Sequence, residues 1–385
     1  MFLLLVACDA DPVEPAPPAV SLVSPASIDY LKSQGWWPIR IGYFADVPSF
    51  SAHTAVMRHD RLLEAAGVEV EYQSYLSGPP ILEAFVSGQT QVTHYGDFPF
   101  WTTRDRGVPA VIYALTGVGN NVGLVVPADS PYRDLDALRG AGRELQIGTT
   151  LGSYAEFYLR SIPGLNYRIV GLGMRDAQLV PAGVDAVALW DPHLSFAQAR
   201  GLGIKIDDVY PWYFPTAFEF VRAEIHEHAP DLVQVLADAN TEALMRVRAD
   251  PQRAAAIYVE DPRARAWSQD DVLEQIQRYL VAPKPTVRFP HAAFWSAEDI
   301  RVVAAQHAAG RLSRARDVAD LTQDFAPVYL TETYRRRGWT VPSAPVFLPS
   351  DWAGTIGQPP YPPTLLGASA AAPFPEPGDL AVPSP

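Results

Sequence analysis

The stretch from Tyr75 to Gly117 alternates between apolar runs and turn residues, and this pattern predicts strands and helices in succession. Two prolines at 79–80 suit the first turn of a helix, and Gly88 suits its end. The predicted order is a loop at 77–78, a helix at 79–88, a strand at 91–95, a tight loop at 96–99, a short helix to 106 and a buried strand at 108–115. With the strand before the first loop, this unit is βαβαβ, which is typical of an α/β sheet.

The rest of the chain has the same alternation up to about residue 222 and then becomes helical. Further strands are predicted at 39–43, 68–75, 120–127, 145–149, 167–172, 184–189, 204–208 and 214–222, and helices at 57–66, 155–161 and 174–181. Beyond Glu224 a helix is predicted at 229–248. Ser268 and Ser296 each begin a helix with an aspartate three residues later, as in a capping box.

The loops that leave the predicted strands carry the first candidates for a functional site. In an open α/β sheet, ligands bind outside the carboxyl ends of the strands. Ser77, Gly78, Gly96 and Asp97 each follow a predicted strand and would border one crevice. Position alone therefore makes them candidate binding residues.

The size and charge of the chain limit its class. A chain of 385 residues is long enough for two domains, each with its own core. Its 30 basic and 43 acidic residues give a net charge of −13, which repels nucleic acids and anionic surfaces. No basic stripe with interleaved aromatic residues counters this charge. We therefore expect no nucleic-acid partner.

Cys8 is the only cysteine, so the sequence excludes disulfides and thiolate metal sites within the fold. It follows an apolar run at 2–7 in the pattern of a bacterial lipoprotein signal, although no basic residues precede that run. The pattern predicts that Cys8 is lipidated and anchors the chain to a membrane; the alternative is a chance cysteine in a truncated signal peptide. Residues 9–37 are rich in Pro, Ala and Ser and are predicted to form a tether.

The sequence contains no recognisable catalytic or metal-binding motif. Its eight histidines are scattered, and the pair at 226 and 228 stands at a predicted helix start without HExxH, CxxC or clustered carboxylates. No GxSxG, Walker A or GxGxxG motif stands at a strand-to-helix turn. We expect no metal, no cofactor and no catalytic residue, and hence a protein that is not an enzyme.

Several short motifs occur in a characteristic order along the chain. A helix introduced by Ser-Gly-Pro, with Leu-Glu-Ala inside, is closed by Ser-Gly and followed by a strand and Gly-Asp-Phe-Pro. Asp-Ser-Pro at 129–131, Gly-Ser at 152–153, Trp-Asp-Pro at 190–192 and Asp-Pro at 250–251 come later. From residue 39 to about 340, this order resembles the solute-binding proteins of ABC importers for aliphatic sulfonates, taurine and nitrate. Tyr95 departs from the family, which has threonine before the Gly-Asp.

The resemblance implies an α/β fold of two Rossmann-like lobes joined by a hinge, the type II periplasmic binding protein fold. The sequence then divides into a lipoprotein signal remnant (1–8), a Pro-rich tether (9–37), lobe 1 (38–117 and 215–340), lobe 2 (118–214) and a Pro-rich C-terminal tail (341–385), which is longer than the resemblance implies. The implied function is to capture a small organic anion, sulfonate-like or taurine-like, between the lobes and deliver it to ABC permease subunits. We expect an extracytoplasmic, lipid-anchored monomer.

The resemblance also implies ligand-binding residues at the strand exits of both lobes. They are Tyr43, Phe44, Ser77, Gly78, Gly96, Asp97, Phe98, Thr149, Gly152, Ser153, Tyr154 and Trp190. Backbone amides and hydroxyls would hold an anionic head, and aromatic side chains would cover its body. Structural alternatives remain open: core packing for Tyr43 and Phe44, a helix N-cap for Ser153, interlobe packing for Trp190, and acceptance of backbone hydrogen bonds for Asp97.

Three alternatives to a sulfonate importer stay open. Aromatic residues around the loop at 96–99 favour a larger and more apolar solute than nitrate, so a pyrimidine or another aromatic heterocycle precursor is one alternative. The same superfamily contains enzymes that resemble thiamine-pyrimidine synthase, but these carry a cysteine-rich motif that this chain lacks. The third alternative is a protein that reports its ligand to a membrane receptor. An amine such as that of taurine gains support if Asp97 faces the ligand.

Overall fold

The structure is a computed structural model, and it describes residues 22–118, 121–209, 212, 215–264, 266–281, 296–317, 320–321 and 323–337. Cys8, the first part of the predicted tether and the predicted C-terminal tail lie outside these residues. Within the described ranges, no helix combines the length and the apolar character that a membrane crossing requires.

Two five-stranded sheets form the framework of the chain. The strands are β1 (Ile39–Phe44), β2 (Val70–Tyr75), β3 (Val92–Gly96), β4 (Ala110–Val118), β5 (Val122–Pro127), β6 (Leu145–Thr149), β7 (Tyr167–Gly171), β8 (Ala186–Trp190), β9 (Gly203–Asp208) and β10 (Thr216–Arg222). The sheet of lobe 1 has the order β2-β1-β3-β10-β4, and that of lobe 2 the order β7-β6-β8-β5-β9. In each sheet, the strand that enters from the other lobe, β10 or β5, runs antiparallel to both of its neighbours.

Helices cover both sheets. They are α1 (Pro25–Ser33), α2 (Pro48–His59), α3 (Leu62–Ala65), α4 (Gly78–Val86), α5 (Asp97–Asp105), α6 (Leu135–Arg139), α7 (Tyr154–Ser161), α8 (Met174–Ala177), α9 (His193–Ala199), α10 (Ala223–His228), α11 (Pro230–Ala249), α12 (Pro251–Tyr258), α13 (Gln269–Ile276), α14 (Ser296–Ala308) and α15 (Val328–Arg336). A 3-10 turn at Pro262–Ala264 and a π-helical turn at Gln277–Val281 flank α13. The long helix α11 is buried along most of its length and packs on α2, α12 and α15. The predicted capping box at Ser268 is present.

The chain changes sheets twice, between Val118 and Val122 and again between Asp208 and Thr216. The carboxyl ends of β1 and β3 therefore face those of β6 and β8 across the junction of the lobes. This arrangement places the strand-exit loops of both lobes on one cleft, as the predicted fold requires.

The segment at 24–37, predicted as the end of the tether, belongs to the folded part of the chain. Ser24 caps helix α1, with Pro25 at its first position, and Leu31 is fully buried. The Ser24 backbone N–H and the Ser27 hydroxyl donate to the carboxylate of Asp231 at 2.7 and 2.5 Å. A Pro- and Ser-rich composition is compatible with a helix start as well as with a tether. The contacts with α11 stabilise the helical form of this segment.

The helix predicted at 57–66 is wrong in its bounds. Helix α2 begins nine residues earlier, at Pro48, and the chain breaks at Arg61, where φ is 55°, before α3. The break places the Asp60 carboxylate within 2.8 Å of Arg246 and 2.5 Å of Arg253. Hydrogen bonds from these two guanidinium groups and from His59 outweigh the effect of burial and lower the pKa of Asp60. The ion pairs of Asp60 with distant helices thus favour a break between α2 and α3. The apolar periodicity of the sequence does not indicate this break.

Candidate functional site

A narrow cavity lies between the lobes at the carboxyl ends of the strands. About 360 Å³ of space there is not occupied by protein atoms, and part of this space is open to solvent. Its lining residues are Phe44, Val47, Phe50, Gly78, Tyr95, Gly96 and Pro99 from lobe 1, and Ser153, Tyr154 and Trp190 from lobe 2. None of these described residues is charged. The cavity is therefore an uncharged cleft, and half of its lining residues are aromatic.

Six of the predicted binding residues line this cavity. They are Phe44, Gly78, Gly96, Ser153, Tyr154 and Trp190. Four other lining residues, Val47, Phe50, Tyr95 and Pro99, were not among the predicted ones. Val47 and Phe50 belong to the first turn of α2, and the Val-Pro pair at 47–48 is the sequence signal that indicates this start.

Tyr43 and Asp97 are placed inside lobe 1 instead. The hydroxyl of Tyr43 donates to Asp261 and accepts from Arg58 at 2.6 Å. Asp97 is fully buried, and its carboxylate accepts from the backbone N–H groups of Phe98 and Thr216 at 2.6 and 3.2 Å. Asp97 thus holds the start of α5 against β10, which is the structural alternative left open for it, and it does not line the cavity.

The other predicted residues lie beside the cavity without lining it. The hydroxyl of Thr149 donates to the carbonyl of Ala188 within lobe 2. Phe98 is buried, and its ring stacks on Phe157 of the opposite lobe with centroids 6.3 Å apart. Ser77 precedes α4 without capping it through its side chain. Of these three, only Phe98 has a described contact with the opposite lobe.

Ser153 is the N-cap of helix α7, which begins at the cavity. Its hydroxyl accepts from the N–H of Glu156 at 3.3 Å and donates its single proton to the carbonyl of Thr150 at 2.7 Å. Gly152, with φ of 76°, lies just outside the cavity and donates its N–H to the Glu156 carboxylate at 2.7 Å. Arg160 pairs with that carboxylate at 2.7 Å. An anion at this site would therefore depend on backbone N–H groups in the first turn of α7 more than on the serine proton.

The two lobes approach each other closely at Gly96. A Cβ atom at this position would lie 2.9 Å from Cδ1 of Tyr154, across the cleft. The Tyr154 ring packs in turn against Trp190, with centroids 5.1 Å apart. Because Gly96 has no side chain, Tyr154 of lobe 2 can pack directly against the backbone of lobe 1 at this position.

Comparisons with known proteins agree with this architecture. No family model matches the chain. A "Putative aliphatic sulfonates-binding protein" of Bacillus subtilis (strain 168) is 24% identical over 201 residues, which are 51% of this chain and 60% of that relative. The alkanesulfonate-binding protein SsuA from Xanthomonas axonopodis pv. citri, bound to MOPS, is similar with a TM-score of 0.58 and 18% identity, over 74% of this chain and 97% of SsuA. The periplasmic nitrate-binding protein NrtA from Synechocystis PCC 6803 is similar with a TM-score of 0.59 and 13% identity, over 77% of this chain and 88% of NrtA.

The chain has the periplasmic binding protein fold. The fold predicted from the sequence is confirmed, and so is the similarity to sulfonate- and nitrate-binding proteins that the motifs indicated. The matched region spans only 60% of the length of the curated relative, and the structural neighbours are below 25% identity.

A buried ion pair joins the two lobes of this binding-protein fold beside the cavity. Asp46, in the loop after β1, is fully buried, and its Oδ1 lies 2.7 Å from a guanidinium nitrogen of Arg175 in lobe 2. The indole N–H of Trp267 donates to the same oxygen at 3.0 Å, and Arg175 also donates to the carbonyl of Arg263 at 2.7 Å. Burial raises the pKa of Asp46, although hydrogen bonds from Arg175 and Trp267 act in the opposite direction. We call the contact between Asp46 and Arg175 the latch.

A second contact joins the lobes around Asp191, which follows β8. Its Oδ2 accepts from Tyr279 and lies 3.3 Å from Arg278, and both of these residues belong to the C-terminal helical part. Asn121, at the crossing between the lobes, donates to the same oxygen at 2.9 Å. Ser195 donates to Oδ1 through its N–H and its hydroxyl. Polar contacts on two sides thus hold the cleft closed in this structure.

His193 lies behind the latch and gives the stability of the fold a predictable pH dependence. It is fully buried, and its Nδ1 lies 2.7 Å from Oε1 of Gln178. Burial, followed by the positive charge of Arg175, lowers its pKa to about 3, whereas an unfolded histidine has a pKa of about 6.5. The unfolded state therefore binds the proton more tightly. We expect the free energy of unfolding to fall as the pH drops below about 6.5, by up to about 1.4 kcal/mol per pH unit.

Denaturant unfolding at pH 7 and pH 5.5 measures this effect, because most carboxyl groups stay ionised in that window. From pH 7 to pH 5.5, the free energy of unfolding of the wild type should fall by about 1.2 kcal/mol more than that of His193→Gln. His228→Gln, at an exposed histidine, is the control for the substitution itself. An equal pH dependence in the wild type and His193→Gln would contradict the assignment.

Proposed function

We propose that the chain is the extracytoplasmic solute-binding component of an ABC importer and that it captures a small organic anion of the alkanesulfonate type between its lobes. The observation that carries the proposal is the cavity itself, whose walls combine aromatic side chains from both lobes with the first turn of helix α7. The mechanism is capture and release by movement of the lobes, without chemical conversion of the ligand.

The anionic head would bind at the start of helix α7. The first N–H groups of a helix have no acceptor within the helix, and the helix dipole adds a partial positive charge there. Ser153 and Tyr154, the first residues of this helix, both line the cavity. The carboxylate of Glu156, in the same helix turn, is already bound by Gly152 and Arg160, which reduces its repulsion of an anion.

The body of the ligand would lie among aromatic rings. Phe44 and Phe50 form the lobe 1 side, and Tyr154 and Trp190 the lobe 2 side. Such walls favour a ligand with an apolar portion, so an alkanesulfonate fits better than nitrate. The amine of taurine would find no carboxylate in the cavity, because Asp97 is buried and accepts hydrogen bonds from backbone N–H groups. Taurine therefore fits this cavity less well than an alkanesulfonate without an amine.

Entry of such a ligand requires the lobes to separate, and in the bound form they would close less tightly than they do here, because this cavity has room for little more than a water molecule. The two crossings near residues 118–122 and 208–216 are the natural hinge. Binding energy from both lobes would then favour the closed form, in which the latch and the Asp191 contacts are made.

The similarities support this proposal at the level of the protein class. The curated relative carries a sulfonate-binding name, and the SsuA neighbour is bound to MOPS, which is itself a sulfonate. We extend the proposal to delivery of the ligand to permease subunits and to an extracytoplasmic location with Cys8 as a lipid anchor. Palmitate labelling of the expressed precursor, compared with Cys8→Ser, tests the anchor.

Calorimetry of the purified chain against single compounds tests the ligand class. The panel contains ethanesulfonate, MOPS, taurine, nitrate, an aminopyrimidine and ethanol as a neutral control. We expect an alkanesulfonate or MOPS to bind at micromolar or lower Kd, which is about −8 kcal/mol, and to raise the Tm by mass action. Tightest binding of the aminopyrimidine would favour the heterocycle alternative, which the aromatic walls also accommodate. Absence of binding by every anion would contradict the proposal.

A further inference from the structure

Three side chains that commonly bind metals meet inside lobe 1. His53 comes from α2, His94 from β3 and Glu219 from β10, and all three are buried. Each offers one ligand atom, and these atoms lie within 4.8 Å of one another. His94 and Glu219 are cross-strand partners in the sheet, and Nε2 of His53 lies 3.0 Å from Oε1 of Glu219.

The chemistry of this cluster matches a transition-metal site. Two imidazoles and one carboxylate form a ligand set that binds Zn²⁺, with metal–ligand bonds of about 2.0–2.2 Å. In a tetrahedral site with such bonds, ligand atoms are about 3.4 Å apart. The three atoms therefore need shifts of about 1.5 Å or less, which side-chain rotation can supply. Ca²⁺ and Mg²⁺ are a poor match, because they require oxygen ligands.

The carboxylate is already oriented by a neighbour. The hydroxyl of Tyr113, on β4, donates to Oε2 of Glu219 at 2.5 Å and leaves Oε1 directed at His53. Support of this kind around a ligand is usual at metal sites.

Unsatisfied polar atoms lie around the same cluster. Among the described residues, Nδ1 of His53 and both polar atoms of the Asn240 amide have no hydrogen-bond partner, and Asn240 is 1% exposed. Asn240 lines a small cavity of about 290 Å³ together with His94, Tyr113 and Glu219. Buried polar groups are nearly always paired. A water bound at the fourth position of a metal ion beside this cavity would be a possible donor to the Asn240 amide oxygen.

The cluster lies directly beneath the wall of the interlobe cavity. The rings of Phe44 and Phe50, which line that cavity, have centroids 5.5 and 6.3 Å from the ring of His94. An ion held by His94 would therefore fix the layer on which the lobe 1 aromatic residues rest.

We propose that His53, His94 and Glu219 form a structural site for a Zn²⁺-type divalent ion, which holds α2 to the sheet and stiffens the aromatic wall of the cleft. The site differs from the ligand cavity and does not depend on the identity of the solute. The sequence pattern does not indicate this site, because the three ligands stand at positions 53, 94 and 219 without any local spacing motif.

Metal content and binding of the full chain test the site. After dialysis against a chelator, titration with Zn²⁺ should show one tight site per chain and an increase in Tm. Titration with Co²⁺ should give the intense visible absorption of tetrahedral coordination. His53→Gln and Glu219→Gln should weaken Zn²⁺ binding by at least about a hundredfold, whereas His59→Gln, at the more exposed histidine of the same helix, should leave it unchanged.

Two results would overturn the proposal. The first is a wild-type chain that binds no Zn²⁺ stoichiometrically, and the second is a variant series in which His53→Gln and Glu219→Gln bind as the wild type does. Should these variants fail to fold, anomalous diffraction at the zinc edge from wild-type crystals decides: a peak between the three side chains supports the site, and a peak elsewhere or none rejects it.

Discussion

Arg175→Ala is expected to weaken ligand binding by between about tenfold and about a hundredfold, which is about 1.4–2.7 kcal/mol. Asp46 is fully buried when the lobes are closed. Among the described residues, Arg175 is the only cation within 4.0 Å of its carboxylate, because His193, at 3.6 Å, is neutral. Removing one member of a buried pair costs about 3–5 kcal/mol. We expect less here, because Arg175 is about one-third exposed and water can partly replace it.

The loss should appear in binding more than in folding. Opening the lobes would let water reach Asp46, so the Tm of the ligand-free variant should change by only a few degrees. Calorimetry with the tightest ligand of the panel measures the effect. Arg143→Ala is the matched control, because its ion pair with Asp185 lies wholly within lobe 2 and should not affect affinity. Wild-type affinity in Arg175→Ala would contradict the assignment of the latch to the ligand-bound form.

Gly96→Ala is expected to weaken ligand binding by roughly fivefold to 150-fold, which is about 1–3 kcal/mol of overpacking. The backbone at Gly96 has φ −64° and ψ 163°, so alanine fits there without strain. The added Cβ would, however, lie 2.9 Å from Cδ1 of Tyr154, which is held in place by Trp190. Only the closed form brings these atoms together, so the methyl group would oppose closure.

Gly78→Ala separates closure from a general effect on the cavity. Its Cβ would face the same cavity but meet only Phe44 and Pro99 of its own lobe, at 3.9 and 4.0 Å. This variant should keep affinity within about threefold of the wild type. Small-angle scattering should show that saturating ligand compacts the wild type and Gly78→Ala more completely than Gly96→Ala. Equal affinity and compaction in both variants would show that Gly96 and Tyr154 do not meet on closure.

Elements that depend on local pattern could be predicted from the sequence. Period-two alternation and glycine-rich exits located the strands to within a few residues, and the exit loops supplied Phe44, Gly78, Gly96, Ser153, Tyr154 and Trp190, all of which line the cavity. The rule that strand ends border the ligand site supplied Gly78 and Gly96, and the resemblance to sulfonate-binding proteins added the other four.

Features that depend on distant partners could not be predicted in this way. Tyr43 points into the core because Asp261 binds its hydroxyl, and Asp97 does so because Thr216 donates to it. The latch joins residues 129 positions apart. In each case, contacts with a distant element set the orientation of the side chain. The sequence pattern does not show which elements pack together.

The most direct test of the central claim is a crystal structure of the full chain with the tightest-binding sulfonate. We predict the sulfonate group within hydrogen-bond distance of the backbone N–H groups that open helix α7, and its organic portion between Phe44 and Trp190. Density for the ligand outside the interlobe cavity, or an orientation that turns the sulfonate away from α7, would contradict the account.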